Sequence, residues 1–399
     1  MARSISISRY RNIGILASQD AGRTTTTERL LAVSRQGGEG RGAGIGASAA
    51  LLGSEIIRTI TLTSAATSCD WRGNLINIVE LSGAQRAAAD DLVSVLDGLV
   101  IVIDGAAGLT PKTEAALAMA RRSGLPRIVF VNKLDLADAD LSAVMAGLAA
   151  DCPATPILVQ MPLGAGLQGL ADLIDLQASI WTGAGFDAPP EATAIPAADQ
   201  EAAASARRGL VKSLGLADSE ISAPALRAAL RQAVLLGKVA PVLCGSAFRN
   251  RGIAALLNAV VDYLPTASEI GGLNAIDADG LPVIVAADED QPFVGVAFSE
   301  IAEPGQEDLV FVRIYAGMIA AGTEIWNSVA AHPERIERIL RFRANEIEEI
   351  AEAQAGDIVA LVGLKHTNTG DTLCDPNAPI VLERVPMAPI PASAGHAKH

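Results

Sequence analysis

Histidine is scarce in this 399-residue chain: His332, His366, His396 and His399 are all there are. The first 331 residues hold none, so no chemistry there can use an imidazole base or a histidine metal ligand. Cysteine is nearly as sparse. Cys69, Cys152, Cys244 and Cys374 lie far apart with no CxxC, which excludes a zinc ribbon or a disulfide framework and fits reduced, mostly buried thiols. Long apolar runs are missing too. The best, Leu99–Ile103, stops at Asp104, far short of the ~18–20 residues that span a bilayer. Met1–Arg11 carries basic residues with no apolar core behind them, unlike a secretory signal. A cytoplasmic, soluble protein with no membrane partner is therefore expected. Positive charge is also short: 31 Lys and Arg against 45 Asp and Glu give −14, which weighs against binding along a nucleic-acid backbone. No sequence-specific DNA partner is expected, although a local basic patch can still dock on a ribonucleoprotein.

What is present is an aliphatic, globular composition long enough for two or three domains. A strand-like run, Asn12–Ala17, leads through the polar turn Ser18–Arg23 into helical spacing over Thr24–Val33. Further strand candidates are Leu75–Val79, Leu99–Ile103 and Ile128–Val131, with helical stretches such as Pro111–Arg122 between them. Strands alternating with helices predict an α/β, doubly wound, mostly parallel sheet, with its ligands at the carboxyl ends of the strands. From about 156 to 240 the rhythm loosens, as in an inserted subdomain. Strand Pro241–Cys244 and helix Gly252–Tyr263 then resume it. The first domain so reaches residue 270, and residues 271–290 look like a linker. Short strand candidates at Phe293–Phe298, Leu309–Tyr315, Thr323–Trp326, Arg335–Leu340, Ile358–Leu364 and Ile380–Leu382 predict a small β-barrel over 291–385. Residues 386–399 read as a disordered tail, and the Gly37–Gly46 run as a mobile loop rather than a dinucleotide fingerprint.

Four segments carry chemistry. Ala17-Ser18-Gln19-Asp20-Ala21-Gly22-Arg23-Thr24-Thr25, between a strand and a helix, reads as a phosphate loop. Its backbone N–H groups and helix N-terminus would face an anion, and the Thr24 hydroxyl could reach Mg²⁺. The pattern calls for Lys where Arg23 stands, and a planar guanidinium does not thread a narrow loop as an ammonium does. Asn132-Lys133-Leu134-Asp135 follows a strand; the Asp135 carboxylate can accept two hydrogen bonds from guanine, with Asn132 and the Lys133 stem holding the ring. Cys244-Gly245-Ser246-Ala247-Phe248, also after a strand, would offer backbone donors to guanine O6 from Ser246 and Ala247. The fourth segment is Ile76–Ala84, which ends Glu80-Leu81-Ser82-Gly83-Ala84.

With Arg9–Ile15, Thr24–Leu30, Thr63–Thr67, Val95–Gly98, Pro126–Asp135, Pro241–Phe248, Val260–Pro265 and Thr369–Asp375, the chain resembles bacterial translation elongation factor G, a ribosome-dependent GTPase. The resemblance runs from residue 3 to about 385. It implies a P-loop GTPase-type domain over 1–270 with the family's inserted subdomain, then the family's β-barrel second domain. It also implies GTP or GDP with Mg²⁺ as ligands and the ribosome as partner. The family continues through three more domains, so translocation of tRNA is not expected of this chain. Against the family's DTPGH loop, Glu80 stands for the Asp that holds Mg²⁺ through water, and Gly83 keeps the γ-phosphate sensor. Ala84 takes the place of the catalytic His, so no catalytic side chain is assigned and hydrolysis is expected to be impaired. Thr61 matches the family's Mg²⁺ ligand and Arg58 is kept, while Thr59 replaces a Gly. Arg23 and Glu80 support two readings: adapted phosphate and metal contacts, or relics of a pocket that lost its ligand. Three functions follow: a guanine-nucleotide-binding factor with weak hydrolysis, a nucleotide-free pseudo-GTPase that binds the ribosome or a protein, or a decayed paralogue.

Overall fold

A computed structural model describes residues 5–18, 20–36, 66–82, 92–152, 154–183, 189–217, 221–301, 308–343 and 346–383. The chain runs through β1 (Tyr10–Ala17), α1 (Arg23–Gln36), β2 (Ala66–Trp71), β3 (Asn74–Ser82) and β4 (Gly98–Asp104). It continues with α2 (Pro111–Ser123), β5 (Arg127–Asn132), α3 (Leu141–Asp151) and β6 (Thr155–Leu158). An excursion then adds β7 (Gln160–Leu163), β8 (Gly169–Asp172), β9 (Gln177–Ile180), β10 (Glu191–Ala194), α4 (Gln200–Ser213) and α5 (Ala223–Leu235). Strand β11 (Val239–Cys244) and helix α6 (Ile253–Tyr263) return to the main sheet.

That sheet places β3, β1, β4, β5, β11 and β6 side by side, all parallel, with β2 antiparallel on the outer side of β3. Every residue of β1, β5 and β11 is buried, as expected of central strands covered on both faces. Helix ends follow local chemistry. At α2 the Thr110 hydroxyl accepts from the Thr113 N–H, Pro111 opens the helix, and Gly124 closes it with φ +66. At α3 the Asp140 carboxylate accepts from Ala143 N–H. The excursion is a four-stranded antiparallel sheet, β7 to β10 in sequence order, with two helices. It begins after β6, because β6 lies in register beside β11 from Thr155↔Val239 to Leu158↔Val242.

Residues 271–290, expected as a linker, instead hold β12 (Leu273–Asp277) and β13 (Pro282–Val285). The turn explains them: Asp277 Oδ1 accepts from the N–H groups of Asp279 and Leu281, and Gly280 adopts φ +79. Next come β14 (Val294–Ile301), β15 (Leu309–Ala316), β16 (Met318–Ala320), β17 (Glu324–Asn327), β18 (His332–Arg335) and β19 (Arg338–Arg343). The last are β20 (Glu346–Ile350), β21 (Glu352–Gln354), β22 (Ile358–Val362), β23 (Thr372–Cys374) and β24 (Ile380–Leu382). These antiparallel strands form a β-barrel-like unit around Val312, Ile314, Ile339 and Leu361. The expected strand 335–340 is two, β18 and β19. Strand β24 ties the hairpin to this unit through β12, with Ala275 and Leu382 buried together.

The two halves are joined by packing and by charge. Phe298, Phe311 and Phe342 extend the core that holds Leu16, Val79 and Ile101. Arg313 on β15 is 2% exposed and donates to both carboxylate oxygens of Asp97, at 3.1 and 3.3 Å. Asp97 also accepts from the backbone and side chain of Asn12 on β1. No helix among the described residues is long and apolar enough to cross a membrane.

Candidate functional site

The carboxyl ends of β1 and β5 open on a cleft of about 850 Å³. Asp20, Gly22, Arg23, Thr24 and Thr25 line one end of it; Lys133 and Asp135 line the other. Ala21 lies fully buried behind the loop. Gly22 has φ +93, and a Cβ there would meet Asn132 Nδ2 at 2.4 Å, so this position demands glycine on two counts. Asp20 and Lys133 also hold positive φ, 67° and 63°. Such strain in non-glycine residues collects at functional sites.

Asn132, at the end of β5 and 2% exposed, holds the cleft together. Its Nδ2 donates to Ala21 O at 2.8 Å, and its Oδ1 accepts from Ala247 N at 2.8 Å. One side chain so fixes the phosphate loop against the Ser246–Ala247 loop. Lys133 adds a second tie: its Nζ donates to Asp20 O at 2.6 Å and to Asp104 Oδ2 at 2.7 Å. Burial would raise the Asp104 carboxyl, but Lys133 and the N–H groups of Ala107 and Ala106 outweigh it and hold that carboxyl below its ordinary value.

Arg23 opens α1, yet its guanidinium is turned onto β3. Nε donates to Glu80 Oε2 at 3.1 Å and Nη1 to Leu81 O at 2.8 Å. The Thr24 hydroxyl lies 3.5 Å from the same Glu80 oxygen. Glu80 Oε1 is buried with no hydrogen-bond partner among the described residues. Arg23 lines the cleft, whereas Glu80, whose carboxylate it binds, is not among the lining residues.

At the other end Asp135 accepts from Arg249 Nε at 3.1 Å, which orients its carboxylate at the rim. Phe248 and Leu136, 61% and 45% exposed, add apolar surface beside it. Ser246 and Ala247 brace the cleft in a different way from the donors expected of them. Ser246 N donates to Arg251 O, Ala247 N to Asn132, and Ser246 Oγ accepts from Arg249 N. Both residues are fully buried, so their N–H groups are committed inside the protein. Gly83, Ala84, Thr61, Thr59 and Arg58 lie outside the described residues. The lining residues Lys112, Ala115 and Leu136 escaped the sequence reading, as did Asp104 and Arg249 beside them. Asp104 carried a signal, as a lone acid ending a buried parallel strand; Arg249 had none of its own.

Comparison with known proteins fits this geometry. The family model of the elongation factor Tu GTP binding domain matches residues 8–266, and that of elongation factor Tu domain 2 matches residues 308–374. Elongation factor G of Neorickettsia sennetsu is 40% identical over 98% of this chain and 58% of its own. A crystal structure of a Thermus thermophilus protein superposes with a TM-score of 0.72 at 21% identity, over 96% of this chain and 56% of that one. The chain thus spans rather more than half the length of these relatives. With an elongation factor Tu-type GTP-binding domain and second domain in tandem, and elongation factor G as a close relative over almost its whole length, the chain belongs to the translational GTPases, of the elongation factor G type.

Proposed function

We propose that the cleft binds GDP and GTP, and that hydrolysis in it is slow. The observation that carries this is the pair of Asn132 hydrogen bonds, which tie the phosphate loop to the Ser246–Ala247 loop around a cavity that Asp135 also lines. The N-terminus of α1 and the backbone around Gly22 suit an anion there. Asp135 suits the N1 and N2 donors of guanine, and the exposed Phe248 ring and Leu136 suit the apolar faces of a base. Adenine offers an acceptor at the corresponding edge and would meet the carboxylate unfavourably.

Slow hydrolysis rests on the alanine at position 84 and on the lack of any histidine before residue 332. Phosphoryl transfer depends on positioning the attacking water and neutralising charge, and a methyl group does neither. His332 and His366, in contact with ring centroids 3.9 Å apart in the barrel-like unit, are not among the residues lining the cleft. As partner we infer the ribosome, on the strength of the family. The test is equilibrium binding of fluorescent GDP and GTP analogues, then single-turnover GTP hydrolysis with and without ribosomes. Saturable micromolar binding with slow turnover is expected, and Ala84→His should speed turnover by at least about tenfold. Rapid hydrolysis by the natural sequence would contradict the assignment of slow chemistry.

A further inference from the structure

Family resemblance places Mg²⁺ beside Thr24 and residue 80, but the residues standing there do not fit a hydrated magnesium ion. Mg²⁺ keeps a near-octahedral shell of oxygens, and an outer-sphere carboxylate must offer an open oxygen to a metal-bound water. Glu80 offers none. Oε2 is taken by Arg23 Nε at 3.1 Å, with the Thr24 hydroxyl at 3.5 Å, and Oε1 is buried, closed to bulk water. The guanidinium that binds Glu80 belongs to a residue lining the cleft, and its second donor is fixed on Leu81 O at 2.8 Å. It is planar and permanently charged, and it pairs with Glu80 Oε2, which a hydrated dication would otherwise engage.

We propose that the Arg23 guanidinium, clamped by Glu80 and the Leu81 carbonyl, takes the place of the divalent cation, so that guanine nucleotide binds this cleft without Mg²⁺. The proposal rests on the reading of the cleft as a nucleotide site. Two departures from the family then become one adaptation. An Arg at position 23 needs a partner within reach of β3, and the extra methylene of Glu over Asp supplies it. An organic cation carries one charge where a lysine and a magnesium ion would carry three. The site accordingly gains little from a third phosphate and holds GTP no tighter than GDP.

The test measures the affinity of a fluorescent GDP analogue for the full chain with excess Mg²⁺ and with EDTA, beside the Arg23→Lys/Glu80→Asp double variant. The natural sequence should change by less than about threefold between the two conditions, whereas the double variant should weaken by more than about tenfold in EDTA. Binding of Mn²⁺, followed by its electron paramagnetic resonance, gives a second readout. With GDP and the natural protein, the bound-Mn²⁺ signal should not exceed that of GDP alone. Loss of more than about tenfold in affinity from the natural sequence in EDTA would overturn the proposal while leaving the nucleotide site intact. Absence of binding in both conditions would overturn the nucleotide site and the proposal together. Should the double variant fail to fold, the comparison within the natural sequence still decides.

Discussion

Asp135 accepts a hydrogen bond from Arg249 Nε on one carboxylate oxygen at 3.1 Å. Asp135→Asn would replace an acceptor pair by one acceptor and one donor, and should remove about 1–3 kcal/mol of preference for GDP over ADP, read by competition. Gly22→Ala should abolish nucleotide binding, because its Cβ would lie 2.4 Å from Asn132 Nδ2 in a backbone of φ +93. Asp104 gives a pH dependence. Its carboxyl sits below the ordinary value of 3.8, so its contribution is fully present above that value and is lost as pH falls through the lower folded-state value. Asp104→Asn should cost about 1–3 kcal/mol at neutral pH by urea unfolding. The gap should hold down to pH 3.8 and close only below it. The nucleotide loop, Asn132 and Asp135 were legible in the sequence because each follows an apolar strand. The Arg23–Glu80 contact was not, since it joins residues 57 positions apart and depends on where a long side chain turns.

At the scale of elements, the parallel sheet was legible because its central strands hold the apolar runs Ile13–Ala17, Leu99–Ile103 and Ile128–Val131, with no polar face to place. The hairpin β12–β13 was passed over although its turn, Asp277 to Gly280, carries the right residues; its strands are short and half exposed, so their alternation is faint. The small sheet β7 to β10 was hidden in the same way, with β10 exposed throughout. The acidic run Glu346–Glu352 forms β20 and the start of β21, with most of its carboxylates exposed. Cys69 and Cys244 show the protection that burial in strands confers: burial pushes the Cys69 thiol up to about 12 and Cys244 higher still. Neither should react with a thiol reagent at pH 8 until the domain unfolds, and rapid labelling of either would contradict the placement of β2 and β11 in the core.

For the whole molecule, the buried Arg313–Asp97 pair and the shared aromatic packing make the GTP-binding domain and the barrel-like unit one body. Arg313→Met would leave the Asp97 carboxylate buried without its cation and should cost about 3–5 kcal/mol. The natural chain should unfold in a single calorimetric transition, and Arg313→Met should lower or split it. Nothing in the sequence singles out this pair, because 216 positions separate its members and either alone reads as a surface charge.

The central claim is that one cleft reads both phosphate and guanine. Displacement of a fluorescent GDP analogue from the full chain by unlabelled GDP and ADP tests it most directly. The account predicts saturable, micromolar binding that GDP displaces at least about tenfold better than ADP. Equal displacement by the two, or no saturable binding at all, would contradict it.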